Sequence, residues 1–321
     1  MDHYVTRIPE EVATTALADS SVTVNDNFTH TRGNFEQKRY SANAYANAVE
    51  IFEAAITDEL RKAEPLDWVR LQNHLGNVLA AMGQQQMDEG LYNRAIAAFN
   101  SALEELSQEE TPVEWATTQY NLGTASQALG RLQGESKLLK AAVDAYTNAL
   151  LVWSRDEATE DWMFTMHQLG ATFHAYGKLL KGNRTFQKSV VAYKNALAAL
   201  NADEYALELT ATHNNRGAVL QHLGESEENP GRIEEAINSY QKALTVSLEQ
   251  QLPVHIAVLC RVNKVTAQNV LAELTNDAVL AEEVADEYEV ILECFPHALQ
   301  PLCVKHCEEQ RAKAQSLTAQ S

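Results

Sequence analysis

The chain has 321 residues, 45% of them hydrophobic, enough for a large core but more than one compact domain usually holds. Lysine and arginine number 25 against 44 aspartates and glutamates, a formal charge of −19; such a surface repels phosphate backbones and anionic lipid, which excludes nucleic acid and membrane as partners. Only seven prolines and thirteen glycines occur, while alanine, leucine, glutamate and glutamine abound, so long helices are expected rather than a turn-rich sheet.

Residues 1–40 contain the polar, β-branched, turn-like run SVTVNDNFTHTRGNF and are expected to be irregular. The opening holds no apolar core flanked by basic residues, and no later run reaches the roughly 20 apolar residues that span a bilayer. A cytoplasmic protein is expected. Residues 41–64 place Ala48, Phe52, Ala55 and Ile56 on one helical face, which predicts an N-terminal capping helix.

From residue 65 a 47-residue period sets in. Trp68, Trp115 and Trp162 keep that step, as do Leu75-Gly76, Leu122-Gly123, Leu169-Gly170 and Arg216-Gly217, and the second glycine row Gly83, Gly130, Gly177 and Gly224. So do Ala95, Ala142, Ser189 and Ala236, then Phe99, Tyr146, Tyr193 and Tyr240. The spacing predicts four helix pairs, 65–111, 112–158, 159–205 and 206–252. In each, the second glycine is expected to close the first helix in a left-handed conformation. The mid-helix glycine costs about 1 kcal/mol against alanine, so its recurrence predicts a close approach by another helix. Residues 253–293 continue the register with Lys264 in place of that glycine and with Tyr288 one residue late; they read as a degenerate capping repeat. Residues 294–321 read as a terminal helix with a polar tail, EEQRAKAQSLTAQS, expected to fray.

A glycine followed by Ala-x3-aromatic-x2-Ala, as in Ala142, Tyr146 and Ala149, resembles the tetratricopeptide repeat in a long-repeat bacterial form. The resemblance implies an all-α, right-handed α-solenoid of stacked antiparallel helix hairpins, a superhelix whose first helices line a concave groove. It also places the family's contact positions on Asn73, Asn77, Tyr120, Thr124, Gln127, His167, His174, Asn214, Gln221 and Arg261. Those side chains are amides, hydroxyls, imidazoles, phenol and guanidinium, and they are expected to form a solvated surface that holds a peptide or helix of another protein by hydrogen bonds.

The chain shows no nucleophile elbow, phosphate loop or His-Glu-x-x-His, so no catalytic residue and no cofactor is expected, and the protein reads as a scaffold or adaptor rather than an enzyme. A peptide-sensing regulator is a second reading. A third rests on Cys294, His297, Cys303, His306 and Cys307, the thiol and imidazole ligands that zinc prefers, against the alternative of a packed terminal helix. All four cysteines fall in the last quarter of the chain, which favours a reducing compartment over a disulfide framework. The open end of the first helix also leaves room for a homo-oligomer.

Overall fold

A computed structural model describes residues 42–295, 299 and 301–319. The segment 1–40, expected to be irregular, lies outside the described residues, as does His297. The described chain is all-α, with thirteen helices packed as sequential antiparallel pairs. It divides after Gly182 into two units, a boundary inside the expected third repeat. The first unit holds α1 (Ala42–Ala55), α2 (Asp58–Ala63), α3 (Pro65–Gln86), α4 (Glu89–Leu103), α5 (Pro112–Gln133), α6 (Ser136–Ala149) and α7 (Thr159–Leu180). The second holds α8 (Asn183–Leu197), α9 (Ala202–Glu227), α10 (Pro230–Glu249), α11 (Val254–Thr275), α12 (Ala278–Cys294) and α13 (Pro301–Thr318).

The long period is taken up by helix length. Helices α3, α5, α7 and α11 each run 22 residues, roughly 33 Å at the α-helical rise. Each of these, like the 26-residue α9, ends on a left-handed residue: Met87, Gly134, Lys181 and Glu228 stand 47 apart, and Asn276 follows 48 later. The next N–H then reaches back across the turn, Asp88 to the Gly83 carbonyl at 3.0 Å, Glu135 to Gly130 at 2.9 Å and Asn229 to Gly224 at 2.8 Å. These are the six-to-one bonds of a Schellman turn. The second glycine row is therefore not the left-handed position expected of it; it lies four residues earlier, inside the helix. The second helix starts at once, because Asp88 Oδ1 accepts from Gly90 N (2.7 Å) and Leu91 N (3.2 Å), and Asp277 Oδ1 from Val279 N (3.1 Å) and Leu280 N (3.0 Å).

In three pairs an aromatic ring of the second helix fills the hollow of the mid-helix glycine. A Cβ on Gly76 would stand 2.5 Å from the Phe99 ring, one on Gly123 2.9 Å from Tyr146 and one on Gly217 2.7 Å from Tyr240. These three aromatic side chains, with Tyr288, are fully buried. The close approach expected from sequence is thus the ring of the partner helix. The second glycine row serves the same end nearer the turn, where Gly83 faces the Tyr92 ring at 3.2 Å.

Three boundaries differ from the sequence reading. Residues 41–64 form two helices, since Thr57 leaves the helical region and its hydroxyl caps α2 by accepting from Leu60 N at 3.2 Å. The extra residue of the last pair enters before α11, so the buried Val265 takes the glycine row and Lys264 takes that of Arg216. The polar tail remains helical to Thr318 because Ala314 is buried, Gln310 accepts from Asn269 Nδ2 (2.9 Å) and Arg311 pairs with Glu289 (2.8 Å).

Candidate functional site

The ten residues assigned to the groove fall on the first helices α3, α5 and α7 of one unit and α9 and α11 of the other. Eight of them are buried: Asn77, Tyr120, Thr124, Gln127, His167, His174, Asn214 and Gln221. Only Asn73 and Arg261 are half-exposed. The expected solvated surface is therefore interior, and the cause is helix-to-helix hydrogen bonding.

In the first unit Asn73 Nδ2 donates to Thr118 Oγ1 (2.9 Å) on α5 and to the Val69 carbonyl (3.2 Å) on its own helix. The Tyr146 hydroxyl donates to Gln127 Oε1 (2.9 Å) and lies 3.1 Å from Thr124 Oγ1. Tyr120 stacks its ring edge-on to Tyr146 at 5.6 Å and lies 5.8 Å from Trp153, so it is core. In the second unit Asn263 Nδ2 donates to Asn214 Oδ1 (2.9 Å), and Gln221 Oε1 accepts from the Tyr240 hydroxyl (3.2 Å). Arg261 pairs with Glu287 at 2.7 Å, and that hydrogen bond holds the Glu287 carboxyl below its usual range. His213, beside these rows, is lowered to about 4 by burial first, with the positive charges of Lys242 and Arg216 adding to it.

Two of these pairs share a pattern that sequence reading passed over. In two pairs a phenol of the second helix meets an amide of the first: Tyr146 with Gln127 and Tyr240 with Gln221. Where the second helix offers Phe99, the position equivalent to Gln127 is Ala80. Buried threonines form another row that sequence reasoning passed over; Thr118, Thr165 and Thr212 each return their hydroxyl to the carbonyl four residues back at 2.6–2.7 Å.

A shallow, open hollow of about 390 Å³ lies between α10 and α11, with Leu280 of α12 also lining it. Ile237, Leu271 and Leu280 make its apolar part, and Glu234, Asn238, Gln241, Gln268 and Lys264 its polar part. Lys264 Nζ donates to Gln241 Oε1 at 3.2 Å across it.

Among the described residues, Cys294, Cys303, His306 and Cys307 do not assemble as a ligand set. Cys303 and Cys307 are buried in the core that joins α13 to α11 and α12, and burial pushes the Cys307 thiol up to about 12. His306 Nε2 is 3.0 Å from Thr266 Oγ1, which also meets the Tyr288 hydroxyl at 2.9 Å. Cys294 is exposed. Among the described residues no group of three His, Cys, Asp or Glu side chains is placed to hold a metal ion, and no helix is long and apolar enough to cross a membrane.

The class that this geometry defines is an all-α array of sequential antiparallel helix pairs with a repeated glycine-aromatic contact. Among solved structures, BtubC (BKLC) from P. vanneervenii is similar at 16% identity over 81% of this chain and 92% of that chain, with a TM-score of 0.51. The TPR2AB domain of yeast Sti1, solved in complex with pHSP90, aligns over 84% of this chain and 99% of that chain at 15% identity and a TM-score of 0.30. No family model matches the chain, and no curated protein matches it in sequence.

Proposed function

We propose that this chain is a non-enzymatic, cytoplasmic scaffold of the tetratricopeptide kind that holds a peptide or helical segment of another protein. The observation that carries the reading is the shallow groove of the second unit, lined by the apolar Ile237, Leu271 and Leu280 together with three amides, Lys264 and Glu234. Apolar anchors supply affinity, and amides offer donor and acceptor together to a partner's main chain. The buried amide rows of the first helices then act as the frame that fixes the groove, with Asn73 and Arg261 their solvent-facing members.

The test is partner capture from native lysate with cross-linking mass spectrometry, comparing wild type with Ile237→Arg/Gln268→Arg and with Asn73→Ala/Arg261→Ala, all checked for native helicity. A partner lost only by the first variant supports the groove. Loss only by the second moves binding to the first-helix face, and no captured partner at all sinks the scaffold reading.

A further inference from the structure

Helix α1 leaves open the face that α4 and α6 cover with their own first helices. One period on, the counterparts of Ile51, Phe52 and Ala55 are Ala98, Phe99 and Ala102, all buried, with Phe99 seated on Gly76 of α3. In α1 itself Ile51 is 65% exposed, Ala55 is exposed and Phe52 half-buried. Its opposite side is occupied, because Val49, Phe52 and Ile56 pack with Leu75 and Leu79 of α3. The uncovered strip is therefore the place of a preceding first helix.

The chain before α1 carries a copy of how such a helix begins. Pro9-Glu-Glu-Val-Ala-Thr-Thr15 repeats Pro112-Val-Glu-Trp-Ala-Thr-Thr118, the first seven residues of α5, at five of seven positions. In α5 the shared alanine, Ala116, is buried in one cluster with Tyr146, Ala149 and Trp153. The counterparts of Tyr146 and Ala149 in α1 are the half-buried Phe52 and the exposed Ala55. The echo stands nine residues ahead of the 47-residue step, which is why a register search from Trp68 falls on Ser21 instead. Residues 19–41 link it to α1, and at up to about 3.3 Å per residue they span far more than the length of that helix.

We propose that residues 9–18 dock on the open face of α1 as its first-helix partner, with Ala13 against Ala55 and Val12 beside Ile51. The occupant is this chain's own segment rather than a second copy, since the matching residues precede the open face in the order every other pair follows. Tethering supplies it at high effective concentration.

The test is hydrogen exchange of residues 42–55 in the full chain, in a variant lacking residues 2–18, and in full-length Ala13→Glu and Ala13→Ser, with solution mass measured for each. Docking predicts a monomer in which the deletion and Ala13→Glu speed exchange in α1 by about tenfold or more, while Ala13→Ser, which keeps the small side chain, changes it little. A synthetic peptide of residues 6–20 should restore protection to the deletion variant. Equal exchange in all four proteins overturns the proposal. Protection that depends on protein concentration and tracks a dimer overturns it too, and assigns the face to a second copy.

Discussion

At the scale of single residues the molecule depends on a glycine that must have no side chain and a ring that fills the space. Gly76→Ala and Gly217→Ala gain helix propensity of about 1 kcal/mol, yet their new methyls would stand 2.5 and 2.7 Å from Phe99 and Tyr240. Both rings are fully buried and cannot step aside, and overpacking of a filled core costs about 1–3 kcal/mol. The net expected effect is a loss of roughly 1 kcal/mol or more at either site, read from urea midpoints. The phenol-amide pairs give a sharper test. Tyr146→Phe strands the buried Gln127 oxygen, at a cost of about 1–2 kcal/mol. Tyr146→Phe with Gln127→Ala recreates the Phe99/Ala80 arrangement already present in this chain, so most of the loss should be recovered.

His213 sets a pH dependence at the same scale. The unfolded imidazole titrates near 6.5, whereas the folded one stays neutral down to about 4. Between those values the unfolded chain binds a proton that the folded chain does not, so this contribution is whole above pH 6.5 and is lost as pH falls toward 4. Glutamine occupies the same register in two earlier repeats, as Gln72 and Gln119, so His213→Gln should fold normally. Denaturation midpoints at pH 7.5 and 5 should fall less for the variant than for wild type; equal falls would remove His213 from the explanation.

At the scale of elements, α13 is the lid on the second unit. It covers Val258, Val262, Val265, Tyr288 and Ile291 with Cys303, Cys307 and Ala314. A thiol reagent should therefore modify the exposed Cys294 within the mixing time, while Cys260, Cys303 and Cys307 react only on unfolding. Rapid labelling of a second thiol in native buffer would show that α13 opens. Replacing His306 by alanine removes its bond to Thr266 and should speed the labelling of Cys303 and Cys307 while leaving Cys260 unchanged.

Across the molecule, the same side-chain types serve the interior and the surface. Cys303, Cys307 and His306 are spent on packing and on the bond to Thr266, so prolonged chelation should leave the thermal midpoint unchanged; a fall on chelation together with stoichiometric zinc would reverse that account. The groove residues met the same fate. Amides and hydroxyls at a helical spacing read as solvated surface in the sequence, because the sequence shows what a residue can bond but not which neighbour arrives to bond it. Gln127 became interior when the Tyr146 hydroxyl came within 2.9 Å, and Asn214 when Asn263 did.

What the sequence determined by itself was everything carried by local period: the all-α class, the 47-residue pairing, the mid-helix glycine as a contact point, and the aromatic row that meets it. These follow from the helical repeat and from steric room at one Cα, which need no knowledge of distant chain. Tertiary structure alone decided which polar rows are buried, where the one-residue slip enters, that the helix ends four residues past the second glycine, and that the polar tail stays ordered against α11 and α12. Each of these depends on a partner supplied from elsewhere in the chain, and burial is a property of that meeting rather than of either residue.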